Sequence, residues 1–334
     1  MTFDDLLPVI FMSLMGLSML IYVALDGYDL GVGMLLPFAS DTEKNFMMNS
    51  IGPFWDANET WLVLGVGLLV VAFPYAQGVV LSALYIPVAI MLLGIILRGV
   101  SFDFRIKAHD QHRLLWERLF TLGSWITALA QGWMIGEYVA GLEGGSLGYY
   151  AFAALIAVTL PALYILLGAG WLVMKTSDDL QAKAMRWAHR AWLPMVLGLI
   201  AVSAATPFVS AEIAEKWFGD IASFIGLSPI PLLTILALGA IWHVSHSKTL
   251  VAHGYGWLIF ANTFLVCILS SIGLAYSLFP YIVMGKVTVW QAASSASSLK
   301  ILLVGAAVAL PMILIYTVWV YKIFWGKVDE PSAH

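Results

Sequence analysis

The sequence predicts an all-α integral membrane protein, and three observations support this fold class. Of the 334 residues, 61% are hydrophobic. Only 11% are charged, whereas about 25% are charged in an ordinary soluble domain. A soluble fold of this length would leave large apolar patches exposed to water. The third observation is a series of apolar stretches separated by short polar segments, so residues 1–334 are expected to form a single polytopic membrane domain.

Apolar stretches of about 17 to 25 residues can cross the roughly 30 Å of bilayer hydrocarbon as helices. About nine such stretches occur along the chain, and the segments between them are too short for a soluble domain. The helices that carry the polar motifs lie within 8–105, the remaining helical bundle lies within 119–325, and 326–334 form a tail. The predicted spans are 8–36, 53–73, 77–99, 119–141, 148–174, 191–210, 229–247, 254–279 and 299–325.

The distribution of Lys and Arg predicts the orientation, because these residues stay on the cytoplasmic side in short loops. With the N-terminus on the periplasmic side, 13 of the 16 Lys and Arg residues lie in cytoplasmic segments. This orientation places the C-terminal tail in the cytoplasm and requires an odd number of spans, which nine satisfies. The first residues include Asp4 and Asp5 but no Lys or Arg, so a cleaved signal peptide is not expected.

The composition also excludes several classes of function. The net charge of -4 offers no polybasic surface, so nucleic acid is not expected as a partner. The single cysteine, Cys267, rules out an internal disulfide, a CxxC redox pair and a CxxCH haem attachment site. The sequence has no nucleotide-binding loop, zinc motif or nucleophile elbow. We therefore expect neither a catalytic residue nor a metal site on this chain.

Charged residues are rare within membrane spans, because each costs about 2.5 to 3.5 kcal/mol on insertion scales. Here they concentrate in three segments that the predicted orientation brings to the cytoplasmic face. These segments are DGYDLGVG (26–33), GPFWDANETW (52–61) and RGVSFDFR (98–105). Asp26 and Asp29 are three residues apart, as are Asp56 and Glu59, and such pairs share a helix face. Paired, partly buried carboxylates are typical of groups that exchange protons near neutral pH.

Simpler interpretations of these residues remain open. Asp56 and Glu59 stand in the first turns of the second span, where side chains cap free N–H groups and negative charge suits the helix dipole. Arg98, Asp103 and Arg105 can belong to an interfacial ion cluster. Asp29 can lie close enough to the surface to be solvated. The three glycines of the first motif can admit a helix or a cofactor, or can let the backbone unwind.

The histidines argue against a haem held by this chain. A six-coordinate haem between two membrane helices needs two deep ligands on facing helices, usually His or Met. Membrane-depth histidines fall on one predicted span, as His243 and His246, and no Cys, Asp or Glu stands near them to complete a metal site. Glu137, near the outer end of the fourth span, is interpreted as an interfacial residue.

Taken together, the three motifs resemble those of subunit II of the cytochrome bd quinol oxidases. They occur in the order and spacing of that family, and the similarity extends to the number and orientation of the nine spans. The second motif of the family often reads WDGNE, whereas this chain has Ala57 between Asp56 and Asn58, which leaves the carboxylates in place. The chain is short for this family, and in length it is more similar to the cyanide-insensitive branch than to the other members.

The resemblance implies a heterodimer in the bacterial inner membrane that oxidises quinol and reduces oxygen to water. Subunit I would bind haem b and haem d, and this chain would support assembly and contribute to the path of cytoplasmic protons. Trp55 and Arg98 would flank a structural quinone. Lipid and small single-span accessory subunits are the other expected contacts. The residues that the resemblance assigns to the proton path are Asp56, Glu59, Asp26 and Asp29.

An ion-coupled secondary transporter is the alternative function. In that case the first span would be a broken helix that binds a substrate or cation through Asp26. Transporters of this kind bind near the midplane and often carry a second broken helix in a repeat. The later spans show no second glycine-rich break of this type, and the carboxylates lie toward one face, which favours the oxidase subunit.

Overall fold

The computed structural model describes residues 2–328, so most of the predicted tail at 326–334 lies outside the described residues. This part of the chain is almost entirely helical. Its helices are α1 (Phe3–Leu35), α2 (Asp41–Ile51), α3 (Trp55–Ala72), α4 (Pro74–Ala83), α5 (Tyr85–Lys107), α6 (Asp110–Val139), α7 (Leu147–Lys175), α8 (Asp178–Val209), α9 (Ala211–Phe218), α10 (Ile221–Leu227), α11 (Pro229–His246), α12 (Lys248–Leu250), α13 (Trp257–Leu278), α14 (Val289–Ala292) and α15 (Ala296–Ile323).

The predicted all-α membrane class is confirmed. Among residues 2–328, 8 helical segments are long and apolar enough to cross a membrane. They contain α1, α3, α5, α7, α8, α11, α13 and α15. The fourth predicted span falls in α6, which has 30 residues but a more polar composition. Helix α6 packs between α5 and α7. Since it is not among the 8 segments, the count of nine spans stays a prediction. The orientation of the termini also stays a prediction.

The third predicted span, 77–99, does not correspond to a single helix. The chain leaves helical geometry at Leu84, where φ is -98° and ψ is 13°, and this residue separates α4 from α5. Pro87 stands in the first turn of α5, a position where the absent N–H of proline has no helical partner to lose. The span proper is α5, which runs to Lys107 and so extends further toward the predicted cytoplasmic side than the sequence indicated.

Helix α1 is the central helix of the structure, and it packs against α3, α6, α7 and α13. It runs unbroken through the DGYDLGVG segment. A Cβ atom on Gly31 would lie 1.8 Å from the backbone oxygen of Tyr164, and one on Gly168 would lie 2.5 Å from the backbone carbon of Gly31. The glycines of the motif therefore let α7 approach α1 closely. An unwound first helix, as the transporter alternative requires, is not what the structure shows.

A small antiparallel hairpin follows α13 at the end of the molecule that the orientation predicts to be periplasmic. Its strands are β1 (Tyr281–Val283) and β2 (Val287–Thr288), and Tyr281 pairs with Thr288. The hydroxyl of Tyr138 on α6 donates a 2.6 Å hydrogen bond to the backbone oxygen of Ile282. The hairpin is thus fixed to the helical bundle at the end opposite the charged motifs.

Candidate functional site

The motif residues Asp26, Glu59 and Arg98 meet in one charged cluster between α1, α3 and α5. The Nη2 atom of Arg98 lies 2.6 Å from Oδ1 of Asp26, and both side chains are 1% exposed. The same Nη2 atom also contacts Oε1 of Glu59. Glu59 is the outermost member, with 23% of its side chain exposed. One cation thus holds two carboxylates, so the cluster carries a formal excess of one negative charge.

Close packing of α5 against α6 positions Arg98. A Cβ atom on Gly123 of α6 would lie 2.9 Å from the backbone nitrogen of Arg98. A Cβ atom on Gly94, one turn earlier on α5, would lie 2.5 Å from Oγ1 of Thr127. Only residues without a side chain allow this approach, which holds the Arg98 backbone deep in the bundle. Its long side chain then reaches the carboxylates of α1 and α3.

Asp56 does not join this cluster, although the spacing predicts that it shares a face with Glu59. Its side chain is exposed in the first turn of α3, and it forms neither a hydrogen bond nor an ion pair within residues 2–328. The capping interpretation also lacks support, because Phe54 occupies the N-cap position of α3 and no side chain caps that end. Asp56 therefore lies one turn outside Glu59, at the surface of this chain.

Asp29 is fully buried, at 0% exposure, so the interpretation that it is solvated is wrong. The Nδ2 group of Asn58 donates a 2.8 Å hydrogen bond to Oδ2 of Asp29 and a 2.9 Å hydrogen bond to the Tyr28 hydroxyl. The hydroxyl of Tyr321 on α15 donates to Oδ1 of Asn58 at 3.2 Å. The sequence analysis did not select Asn58 as a site residue, although it stands between Asp56 and Glu59 in the second motif.

Several buried polar atoms of this region have no hydrogen-bond partner among residues 2–328. They include Oδ2 of Asp26, Oδ1 of Asp29, Nε and Nη1 of Arg98, and Oγ1 of Thr127. Buried polar atoms in proteins are nearly always satisfied by protein groups or ordered water. Because donors and acceptors remain free side by side, the cluster can bind water and exchange protons with it.

Trp55 lies outside the charged cluster. Its ring packs against Phe102 of α5, with ring centroids 5.1 Å apart, and a Cβ atom on Gly99 would lie 3.5 Å from it. The guanidinium of Arg98, in contrast, is directed at the two carboxylates. The role of Trp55 and Arg98 beside a quinone stays a prediction.

A second charged cluster joins α2, α5 and α6, and it contains Arg105 as the ion-cluster interpretation expects, with partners that were not predicted. The Nε and Nη2 atoms of Arg105 donate to Oε1 of Glu117 at 3.1 and 2.9 Å. Nζ of Lys44 lies 2.9 Å from Oε2 of the same carboxylate. Glu117 is 6% exposed and both of its oxygens are paired. This satisfied cluster attaches α2 to the bundle and so fixes the chain that leads into Trp55 and Asp56.

The histidines do not provide a haem site. The rings of His189 and His246 contact each other with centroids 4.0 Å apart, which leaves no room for a porphyrin between them. His243 is exposed. Within residues 2–328, no group of three or more His, Cys, Asp and Glu side chains is arranged to hold a metal ion. His189 and His246 therefore do not fit a haem between them, the absence of haem from this chain stays a prediction, and we derive no haem chemistry for it.

The fold and the site define a polytopic helical membrane protein with a buried cluster of ionisable side chains near one end of its helices. The family model for cytochrome bd terminal oxidase subunit II matches residues 7–324. The chain belongs to this family, and it is accordingly a multi-pass inner-membrane subunit of an oxidoreductase complex.

The chain is also similar to individual members of this family. It is 27% identical to the cytochrome bd-I ubiquinol oxidase subunit 2 of Escherichia coli strain K12, over 98% of this chain and 96% of the relative. It is 28% identical to the cytochrome bd ubiquinol oxidase subunit 2 of Bacillus subtilis, over 93% of this chain and 94% of the relative. Among solved structures, a chain of the bd oxidase from Geobacillus thermodenitrificans shares the fold, with a TM-score of 0.74, 8% identity, and coverage of 95% and 98%.

Proposed function

We propose that this chain pairs with a haem-bearing subunit I and conducts cytoplasmic protons toward the site of oxygen reduction in that partner. The partner's haem b and haem d would take electrons from quinol and deliver them to oxygen. Reduction of oxygen to water consumes protons, and protons that reach a site within the membrane need groups that can exchange them. Family membership supports this assignment over the transporter alternative, as does the unbroken α1.

The observation that carries the proposal is the graded burial of three carboxylates along one line of approach. Asp56 is exposed in the first turn of α3. Glu59, one turn further along the same helix, is 23% exposed, and it shares the Arg98 guanidinium with Asp26, which is 1% exposed. A proton entering at Asp56 thus meets a partly buried and then a fully buried acceptor.

Arg98 has a distinct role in this path. An isolated carboxylate at the depth of Asp26 would be held neutral by the cost of burying charge. The adjacent guanidinium offsets that cost and makes the ionised form accessible. Since Glu59 and Asp26 compete for the same Nη2 atom, protonation of one carboxylate frees the guanidinium for the other. This competition couples proton arrival at Glu59 to proton release at Asp26.

The test is the quinol oxidase activity of the purified complex with Asp56→Asn, Glu59→Gln and Asp26→Asn. Each change keeps the size of the side chain but removes the ionisable group. A relay group should cost at least about tenfold in turnover, roughly 1.4 kcal/mol on the limiting barrier, with a normal haem spectrum. Asp179→Asn is the matched control, because Asp179 is an exposed carboxylate in the first turn of α8, away from the cluster. Full activity in all three relay variants would refute the proton role.

A further inference from the structure

A buried chain of hydrogen bonds begins beside the charged cluster and crosses from α1 through α6 to α7. The Nε2 group of Gln131 on α6 donates a 2.6 Å hydrogen bond to the hydroxyl oxygen of Tyr22 on α1. The hydroxyl of Tyr164 on α7 donates a 2.6 Å hydrogen bond to Oε1 of Gln131. All three side chains are buried, at 5%, 3% and 0% exposure for Gln131, Tyr22 and Tyr164. Neither the sequence motifs nor the proton path proposed above includes them.

The amide group gives this chain a direction. An amide oxygen only accepts and an amide nitrogen only donates, so Tyr164 donates to Gln131 and Gln131 donates to Tyr22. The oxygen of Tyr22 is thereby engaged as an acceptor. Its own proton remains free to donate to a further group.

Asp26 is a nearby acceptor, because one of its two carboxylate oxygens receives no hydrogen bond from the described residues. Tyr22 precedes it by one helical turn on α1, so the two side chains share a face, and the Tyr22 hydroxyl lies next to the Asp26 carboxyl group. Oδ1 of Asp26 is paired with Arg98, whereas its Oδ2 is buried without a partner in the described part of the chain. A free donor and a free acceptor therefore adjoin each other in a region from which bulk water is excluded.

Other unpaired buried donors also occur in the surroundings of Asp26, at Nε and Nη1 of Arg98. Thr127, one turn before Gln131 on α6, has an unpaired buried hydroxyl on the same helix face. A Gln–Tyr pair that served only to join two membrane helices would need no free donor at its end. The charged and titratable groups around Asp26, apart from Tyr22, are Asp29 on α1, Glu59 on α3, Arg98 on α5 and Tyr164 on α7.

We propose that Gln131 is a positioning residue for proton transfer, which holds the Tyr22 hydroxyl so that its proton is directed at the Asp26 carboxylate, directly or through one water molecule. This inference rests on the proposed role of Asp26 in proton uptake. Tyr22 keeps its proton throughout. When Asp26 releases a proton, the carboxylate left behind accepts the hydrogen bond from Tyr22, and this interaction stabilises the ionised form.

The experiment is the pH profile of quinol oxidase turnover in the purified complex carrying Gln131→Met, which keeps the side-chain length but removes both hydrogen bonds. Loss of the donor to ionised Asp26 makes the carboxyl group retain its proton to higher pH. The alkaline limb of the profile should therefore move up by about 0.5 to 1 pH unit, the equivalent of one hydrogen bond. Tyr22→Phe should give the same shift. The double variant should add nothing further, because both changes remove the same interaction.

Two further measurements separate positioning from a merely structural role. Tyr138→Phe is the matched control, because it removes a 2.6 Å hydrogen bond from a partly buried side chain of α6 without contact to the cluster, and it should leave the profile unchanged. Infrared difference spectra of the complex should show a protonated carboxyl band that Asp26→Asn removes. That band should shift in frequency in Gln131→Met, and this readout does not depend on turnover.

The outcomes distinguish failure of this inference from failure of the proposed function. Normal turnover in Asp26→Asn would overturn the proton role of Asp26, and the inference with it. Impaired turnover in Asp26→Asn together with a wild-type pH profile in Gln131→Met and Tyr22→Phe would overturn the inference alone, as would shifts that add in the double variant. If Gln131→Met fails to assemble, the profile of Tyr22→Phe decides the question.

Discussion

Arg98 on α5 and Asp26 on α1 form an ion pair with 2.6 Å between Nη2 and Oδ1, and each side chain is 1% exposed. Removing one partner of a buried pair leaves an uncompensated charge, which typically costs about 3 to 5 kcal/mol. Arg98→Gln should therefore greatly reduce the yield and thermal stability of the assembled complex. Adding Asp26→Asn should recover part of the loss, because the carboxylate that then remains without its cation is Glu59, which is partly exposed. Lys286→Gln, at an exposed pair, is the control, and an Arg98→Gln complex of wild-type stability would contradict this account.

Gly31 should not tolerate a side chain. Its Cβ would lie 1.8 Å from the backbone oxygen of Tyr164, so Gly31→Ala must force α1 and α7 apart. We expect the free energy of unfolding to fall by several kcal/mol, as in severe overpacking, and the melting temperature to fall with it. Gly16→Ala on the same helix meets nothing within 4 Å and should be neutral or stabilising by up to about 1 kcal/mol. Equal melting temperatures for the two variants would show that this packing is unimportant.

Glu43 in α2 should contribute a pH-dependent link to α8. Partial burial alone would raise its pKa, but hydrogen bonds from Nζ of Lys183 at 2.6 Å and from the Ser40 N–H at 2.7 Å hold that pKa below its ordinary value. A lowered folded-state pKa stabilises the fold above the unfolded value of about 4.3 and stops doing so as the pH falls through the folded value.

Glu43→Gln should therefore lower the free energy of unfolding by about 0.2 to 1 kcal/mol at neutral pH. The difference from wild type should shrink as the pH falls below the unfolded value of about 4.3, and it should vanish once the pH is below the lowered folded-state pKa, where Glu43 is protonated in both states. Melting temperatures of the complex across this pH range provide the measurement. A difference that grows on acidification would mean that the ion pair with Lys183 is not its source.

The orientation predicted from charge can be tested by reporter fusions. A fusion at Gly145, in the loop between α6 and α7, should report the periplasm, and one at the C-terminus should report the cytoplasm. Both reporters on the same side would reject the orientation and would separate the carboxylate cluster from its cytoplasmic proton source.

Expressed without its partner, the chain should bind no haem. The ring contact between His189 and His246 leaves no space for a porphyrin between them. A pyridine haemochrome assay on the isolated chain should accordingly give far less than one haem per chain. Near-stoichiometric haem would instead make His243 and His246 the first residues to mutate.

The sequence predicted the membrane class and the location of the charged motifs because both depend on local properties. Apolar runs long enough to span a bilayer, and charged residues at their ends, can be recognised without knowing which helices are neighbours. For the same reason the prediction erred at Leu84, where an uninterrupted apolar stretch conceals a change of direction between α4 and α5. Apolar composition does not record such a bend.

Only the tertiary structure decided which charged groups meet. The spacing of Asp56 and Glu59 placed them on one helix face, but the packing of α3 turned Glu59 to Arg98 and left Asp56 exposed. The positions of Gln131 and Glu117 beside their partners likewise depend on contacts between helices distant in sequence. Such contacts arise from helix packing and glycine-mediated approach, which no periodicity within one segment encodes. The sequence by itself determined that carboxylates gather near one face of the membrane, and the packing of the helices determined which are buried, which are paired and which remain at the surface.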